Sequence, residues 1–105
     1  MAVTSSSGNV FADLALPDAG VALAKADLAH RIAELIRQRK YTQSQAAEVL
    51  GLTQPKVSDL VRGNLPGFTV DRLMKLLNRL GQDVEIAVRP NSRKSSPAST
   101  RVVSV

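Results

Sequence analysis

At 105 residues the chain has room for one domain and little else. Hydrophobic residues make up 44% of it but aromatics only 3%, so the core has to be built from Leu, Ile, Val and Ala. There is no cysteine, which excludes disulfides and thiolate metal sites, and the single histidine, His30, cannot by itself make a zinc site or a relay.

No apolar run approaches the ~20 residues needed to span a bilayer. The first ten residues lack the basic and apolar regions of a signal peptide. The expectation is a cytoplasmic protein without a membrane partner. The net charge of +5 is unevenly spread. Residues 1–36 carry Lys25 and Arg31 against Asp13, Asp18, Asp27 and Glu34, a balance of −2. Residues 37–79 carry Arg37, Arg39, Lys40, Lys56, Arg62, Arg72, Lys75 and Arg79 against Glu48, Asp59 and Asp71, a balance of +5. Such an excess suits phosphate contacts, although helices also carry basic residues on solvated faces.

In chain order, residues 1–9 are small and polar and are expected to be disordered. Val10–Leu16 has the composition of a short apolar turn, presenting Val10, Phe11, Leu14 and Leu16 to the body. Pro17 and Asp18 mark a helix start. A long helix is expected from about Asp18 to Arg39, with Leu28, Ile32, Leu35 and Ile36 as its apolar stripe. Arg37, Arg39 and Lys40 suit the negative end of its dipole. His30 falls on its polar side.

The segment Thr42–Gly63 is the most informative stretch. Thr42 is placed to cap a helix over about Gln43–Leu50, in which Ala46, Ala47, Val49 and Leu50 follow helical spacing. Gly51 then supplies a turn and Leu52 a core-facing turn residue. Thr53 is placed to cap a second helix over about Gln54–Arg62, with Pro55 tolerated in its first turn. Val57, Leu60 and Val61 are the expected buried face of that helix. This is helix-turn-helix spacing, the second helix of which lies in the DNA major groove. Gly63, Asn64, Pro66 and Gly67 read as a loop, and Thr69 as the cap of a helix over about Val70–Leu80 that ends at Gly81.

The period then changes. Val84, Ile86 and Val88 alternate with Glu85, Ala87 and Arg89 before Pro90, which predicts a strand over residues 84–89. A lone strand needs a partner. The favoured one is the same strand of a second copy, which makes a two-fold homodimer through Val84, Ile86 and Val88. The alternatives are Val10–Leu14 and Val102–Val105. Residues 91–105 read as a flexible basic tail, leaving residues 10–90 as the domain.

Residues 24–89 resemble the Cro/C1-type, or XRE, helix-turn-helix family. The resemblance is carried by Tyr41-Thr42-Gln43, Ala46-Ala47, Leu50-Gly51, Gln54-Pro55-Lys56-Val57-Ser58 and Leu60. Asn64–Thr69, Leu80–Val84 and the opening Val10–Leu14 extend it. Within the family the chain is most similar to HigA-type antitoxins, partners of RelE/HigB-like toxins. The resemblance implies a mainly α fold: a five-helix bundle, four main helices plus the N-terminal turn, followed by one C-terminal β-strand. It also implies a double-stranded operator as ligand.

Transferred by position, the resemblance makes Gln43 a phosphate contact and Gln54 a base reader. A glutamine amide can bond the adenine N6/N7 edge, worth roughly 1–3 kcal/mol of discrimination. Lys56, on the same helix, suits guanine or a phosphate. Ser58 suits a base or a phosphate. Asp59 either accepts from cytosine N4 or pairs with Lys56 or Arg62 within the helix. Pro55 stands where many phage repressors have a reading residue, which shifts weight to DNA shape. Thr42, Thr53, Lys40, Arg62 and Asn64 are the further phosphate candidates, with Thr69, Arg72 and Lys75 behind them.

Paired carboxylates with a nucleophile, Gly-rich phosphate loops and HExxH spacing are all missing from the sequence. The expectation is no enzyme, no cofactor and no metal. Three functions remain open at this point: an autoregulating antitoxin repressor, a protein-interaction module whose main ligand is a toxin, and a stand-alone phage-type regulator.

Overall fold

The computed structural model describes residues 19–91 and 97–103. Those residues form four helices: α1 (Ala19–Gln38), α2 (Gln43–Leu50), α3 (Gln54–Arg62) and α4 (Val70–Arg79). The expected apolar turn at Val10–Leu16 and the polar N-terminus lie outside the described residues.

Threonine starts three of the four helices. Thr42 makes a full capping box, its Oγ1 accepting from the Gln45 N–H at 3.1 Å while Gln45 Oε1 accepts from the Thr42 N–H at 2.9 Å. The Oγ1 atoms of Thr53 and Thr69 accept from the Lys56 and Arg72 N–H groups at 3.3 and 3.1 Å. Glycine stops α2 and α3, with Gly51 at φ 69° and Gly63 at φ 77°, a left-handed backbone that favours a residue without a Cβ. The stop after α1 is different. Lys40 takes φ 57° there, so that Tyr41 N–H reaches the Ile36 carbonyl at 3.1 Å.

The short α2 and α3 pack against each other, α1 lies across α3 and α4, and α4 closes the bundle. Their shared core holds Leu28, Ile32, Ile36, Ala46, Leu50, Val57, Leu60, Leu73, Leu76, Leu77 and Leu80. Each fully buried Leu or Ile contributes roughly 1.5–3 kcal/mol by leaving water, set against the entropy of ordering the chain. Leu35 and Leu52 pack at its edge, as their spacing predicts. Phe68, only 2% exposed, is among the largest fully buried side chains.

Two expectations are corrected. Val61 does not join the buried face of α3 but is 43% exposed. Leu60 and Val57 already point inward, and a helix this short buries only a narrow stripe. The second correction is the strand at residues 84–89, which is irregular backbone. Val84 packs against the core, whereas Ile86 and Val88 are 75% and 91% exposed. A strand is defined by a ladder of backbone hydrogen bonds, and within the described chain nothing is presented to make one. Of the two intramolecular partners considered, Val10–Leu14 lies outside the described residues. Val102 packs on the helical core instead.

Candidate nucleic-acid interface

Gln43 and Gln54 each occupy the first residue of a helix, directly after a threonine cap, and both are exposed. This equivalence follows from sequence. Thr-Gln opens both α2 and α3, and the cap fixes the direction in which each helix leaves the turn. Thr42 and Thr53 spend an oxygen lone pair on their caps, but each hydroxyl keeps a proton to donate to a phosphate.

Lys56 sits elsewhere than a free base reader would. It is half-buried, and its ammonium lies over the Phe68 ring, 5.5 Å from the centroid, with the Arg72 guanidinium over the same ring at 5.8 Å. A Cβ on Gly67 would come within 2.6 Å of Lys56 Nζ, so Gly67 leaves the room through which the ammonium passes. Phe68 thereby gathers two cations at the first turns of α3 and α4. Sequence reasoning missed this role, because one phenylalanine in a loop has no periodicity to betray it.

Asp59 is taken up by local structure. Its Oδ1 accepts from Arg62 Nη2 at 3.1 Å and from Asn64 Nδ2 at 3.2 Å, and its carbonyl accepts from the Asn64 N–H at 2.8 Å. Of the two readings of Asp59, the geometry matches the pairing with Arg62. It also binds two phosphate candidates, Arg62 and Asn64, to the end of α3. Ser58 is half-buried, and its carbonyl accepts from Arg62 Nε at 3.3 Å.

The remaining basic residues divide by what holds them. Arg39 Nη2 donates to the Leu80 carbonyl at 2.6 Å, and Arg79 Nη1 to the Val49 carbonyl at 3.5 Å. Lys25 Nζ donates to the Leu65 carbonyl at 3.2 Å. These are clasps between helix ends and loops. Arg37, Arg62 and Lys75 stand within 4.0 Å of Glu34, Asp59 and Asp71. Within residues 37–79 that leaves Lys40, Lys56 and Arg72 without a carboxylate or carbonyl partner among the described residues. Lys40 lies two residues before the Thr42 cap, and the other two are in the first turns of α3 and α4.

Each uncommitted cation is thus next to a helix N-terminus, where unpaired N–H groups and the helix dipole already favour an anion. Of the proposed dimer residues, Ile86 and Val88 are exposed and Val84 is half-buried. Among the described residues no group of His, Asp or Glu side chains is placed to hold a metal ion, and no helix is long and apolar enough to cross a membrane.

Two capped helices joined by a glycine turn, the second opening on an exposed glutamine, define a helix-turn-helix protein. The helix-turn-helix domain family matches residues 10–89, and the chain belongs to it. The branch is the XRE family. A solved structure of a protein provisionally named an XRE family transcriptional regulator is 44% identical, covers 85% of this chain and 100% of its own, and superposes with a TM-score of 0.79. Among curated proteins none matches.

Proposed function

We propose that the chain is a sequence-specific DNA-binding transcriptional repressor, with α3 as its recognition helix, and not an enzyme. The observation that carries this reading is the partition of charge within residues 37–79: Arg37, Arg39, Arg62, Lys75 and Arg79 are tied to carbonyls or carboxylates, whereas Lys40, Lys56 and Arg72 have no such partner among the described residues. Three helix N-termini with three uncommitted cations make a surface suited to a run of phosphates. Gln54 is the base reader, Gln43 and the Thr42 and Thr53 hydroxyls are phosphate contacts, and Lys56 serves a phosphate from its seat on Phe68.

The repressor works as a homodimer, with two recognition helices ~34 Å apart on a partly palindromic operator. The exposed Ile86 and Val88 beside the half-buried Val84 are its candidate contact. By its resemblance to HigA-type antitoxins, the same protein also neutralises a RelE/HigB-like toxin and represses its own operon. Co-purification with a small basic nuclease from the neighbouring gene is the expected result for that role. A neighbourhood without such a gene favours a stand-alone regulator.

Selection of bound sequences from a random duplex pool, followed by titration of the best site at several salt concentrations, tests the DNA reading. Gln54→Ala should relax preference at one base pair by roughly 1–3 kcal/mol. Gln43→Ala should weaken all sequences alike and reduce the log–log salt slope by about 0.9. No sequence enrichment from the pool, or two silent variants, overturns the assignment.

A further inference from the structure

We propose that the face of α1 bearing Asp27, His30, Arg31 and Glu34 is a docking surface, and that its occupant is the chain's own C-terminal segment, anchored by Val102. The helix would carry an ordinary solvated face there if nothing were seated on it. Instead Val102 is half-buried, packs against the helical core and lines a depression with those four α1 residues. Its neighbours Arg101 and Val103 are exposed, so one side chain of the segment is selected inward.

The chemistry on the two sides is complementary. Asp27 and Glu34 outnumber the one basic residue of the face, Arg31, and the chain up to residue 36 has a net charge of −2. Residues 97–103 contain one charged side chain, Arg101, which is basic and adjoins the anchor. His30 Nε2 and Arg37 Nη2 lie 3.7 and 4.0 Å from the Glu34 carboxylate, whereas Asp27 has no ion-pair partner among the described residues. The docking face therefore takes an apolar β-branched side chain next to a cation.

Asp27 and His30 also belong to a second depression, which continues between α1 and the end of α3 past Val61, Gly63 and Leu65. The exposure of Val61 acquires a role here, since it forms a wall of that groove. The C-terminal segment fills one end and leaves the α3 end open.

The test uses the full chain and no DNA, so it stands or fails apart from the DNA reading. In isotope-labelled protein, the Val102 methyls should show NOEs to Asp27, His30, Arg31 or Glu34. Val102→Asp should shift those α1 amides while leaving core resonances in place. A synthetic peptide of residues 97–105 should then bind the Val102→Asp chain at the same α1 amides. It should bind the unaltered chain at least ~10-fold more weakly, because the tethered copy competes at an effective concentration near millimolar. Missing NOEs, or equal peptide affinity for both chains, would overturn the proposal. So would NOEs that appear only between differently labelled copies, which would assign the tail to a second molecule.

Discussion

Asp59→Ala separates a structural carboxylate from a DNA-reading one. Its loss removes the Arg62 ion pair at 3.1 Å and the Asn64 side-chain hydrogen bond at 3.2 Å. Arg62 is 68% exposed in its side chain and Asp59 is 32% exposed, so screening limits the pair to about 0.3–0.5 kcal/mol. The Asn64 bond adds about 0.5–1 kcal/mol. Against this, alanine is the better helix former by roughly 0.5 kcal/mol, and a negative charge leaves the unfavourable end of the α3 dipole. The Asn64 N–H bond to the Asp59 carbonyl at 2.8 Å survives the change, so the helix end keeps its form.

The net cost is about 0.5 kcal/mol, a fall in Tm of about 2–4 °C for a domain of this size. Most of the electrostatic part should vanish in 1 M salt, where the Debye length is ~3 Å. On DNA the expected sign is opposite. With Arg62 released and one like charge to phosphate removed, affinity should rise for all sequences and the log–log salt slope should steepen by up to ~0.9. Calorimetry in low and high salt, with duplex titrations alongside, measures both. The reasoning is refuted if Asp59→Ala leaves Tm and salt slope unchanged while preference collapses at a single base pair, because the carboxylate then reads cytosine.

Lys40→Gly should stabilise the chain by about 0.5–1 kcal/mol, since a left-handed φ of 57° costs a residue with a Cβ about 1–2 kcal/mol. The same variant should weaken DNA binding by one phosphate contact, so thermal melts and salt-dependent titrations move in opposite directions. Phe68→Leu should keep the fold while releasing Lys56 and Arg72 from the ring, each contact being worth about 0.5–1 kcal/mol. Loss of DNA affinity beyond the loss of Tm is the expected result, read by titration at a temperature where the variant is fully folded. Thr53→Ala should cost about 1 kcal/mol as a lost cap and impair DNA binding further by loosening the turn that carries Gln54.

The helices were legible because their ends carry chemistry. Thr-Gln twice, Gly51 and Gly63 place α2 and α3 to the residue, since caps and left-handed stops are encoded locally. The last helix agrees to within a residue at each end, and the first ends within a residue of its expected stop. What misled was the stretch after α4. Alternation at Val84, Ile86 and Val88 is a property of the segment, whereas a strand is a property of a pair, and sequence shows only one member. Phe68 and the fate of the cations were hidden for a related reason. Whether Arg39 grips the Leu80 carbonyl or a phosphate depends on two helix ends meeting 41 residues apart.

That last distinction changes what the basic excess means. Counted along residues 37–79, eight cations against three acids suggest a broadly positive surface. Followed atom by atom, the arginines near helix C-termini satisfy carbonyls that the helices leave open, and these cations stabilise the fold without addressing a ligand. Lys56 and Arg72, in the first turns of α3 and α4, have no such partners, because the groups exposed there are N–H donors that repel them. The same polarity that leaves Lys56 and Arg72 without a carbonyl partner also attracts an anion to the place they occupy.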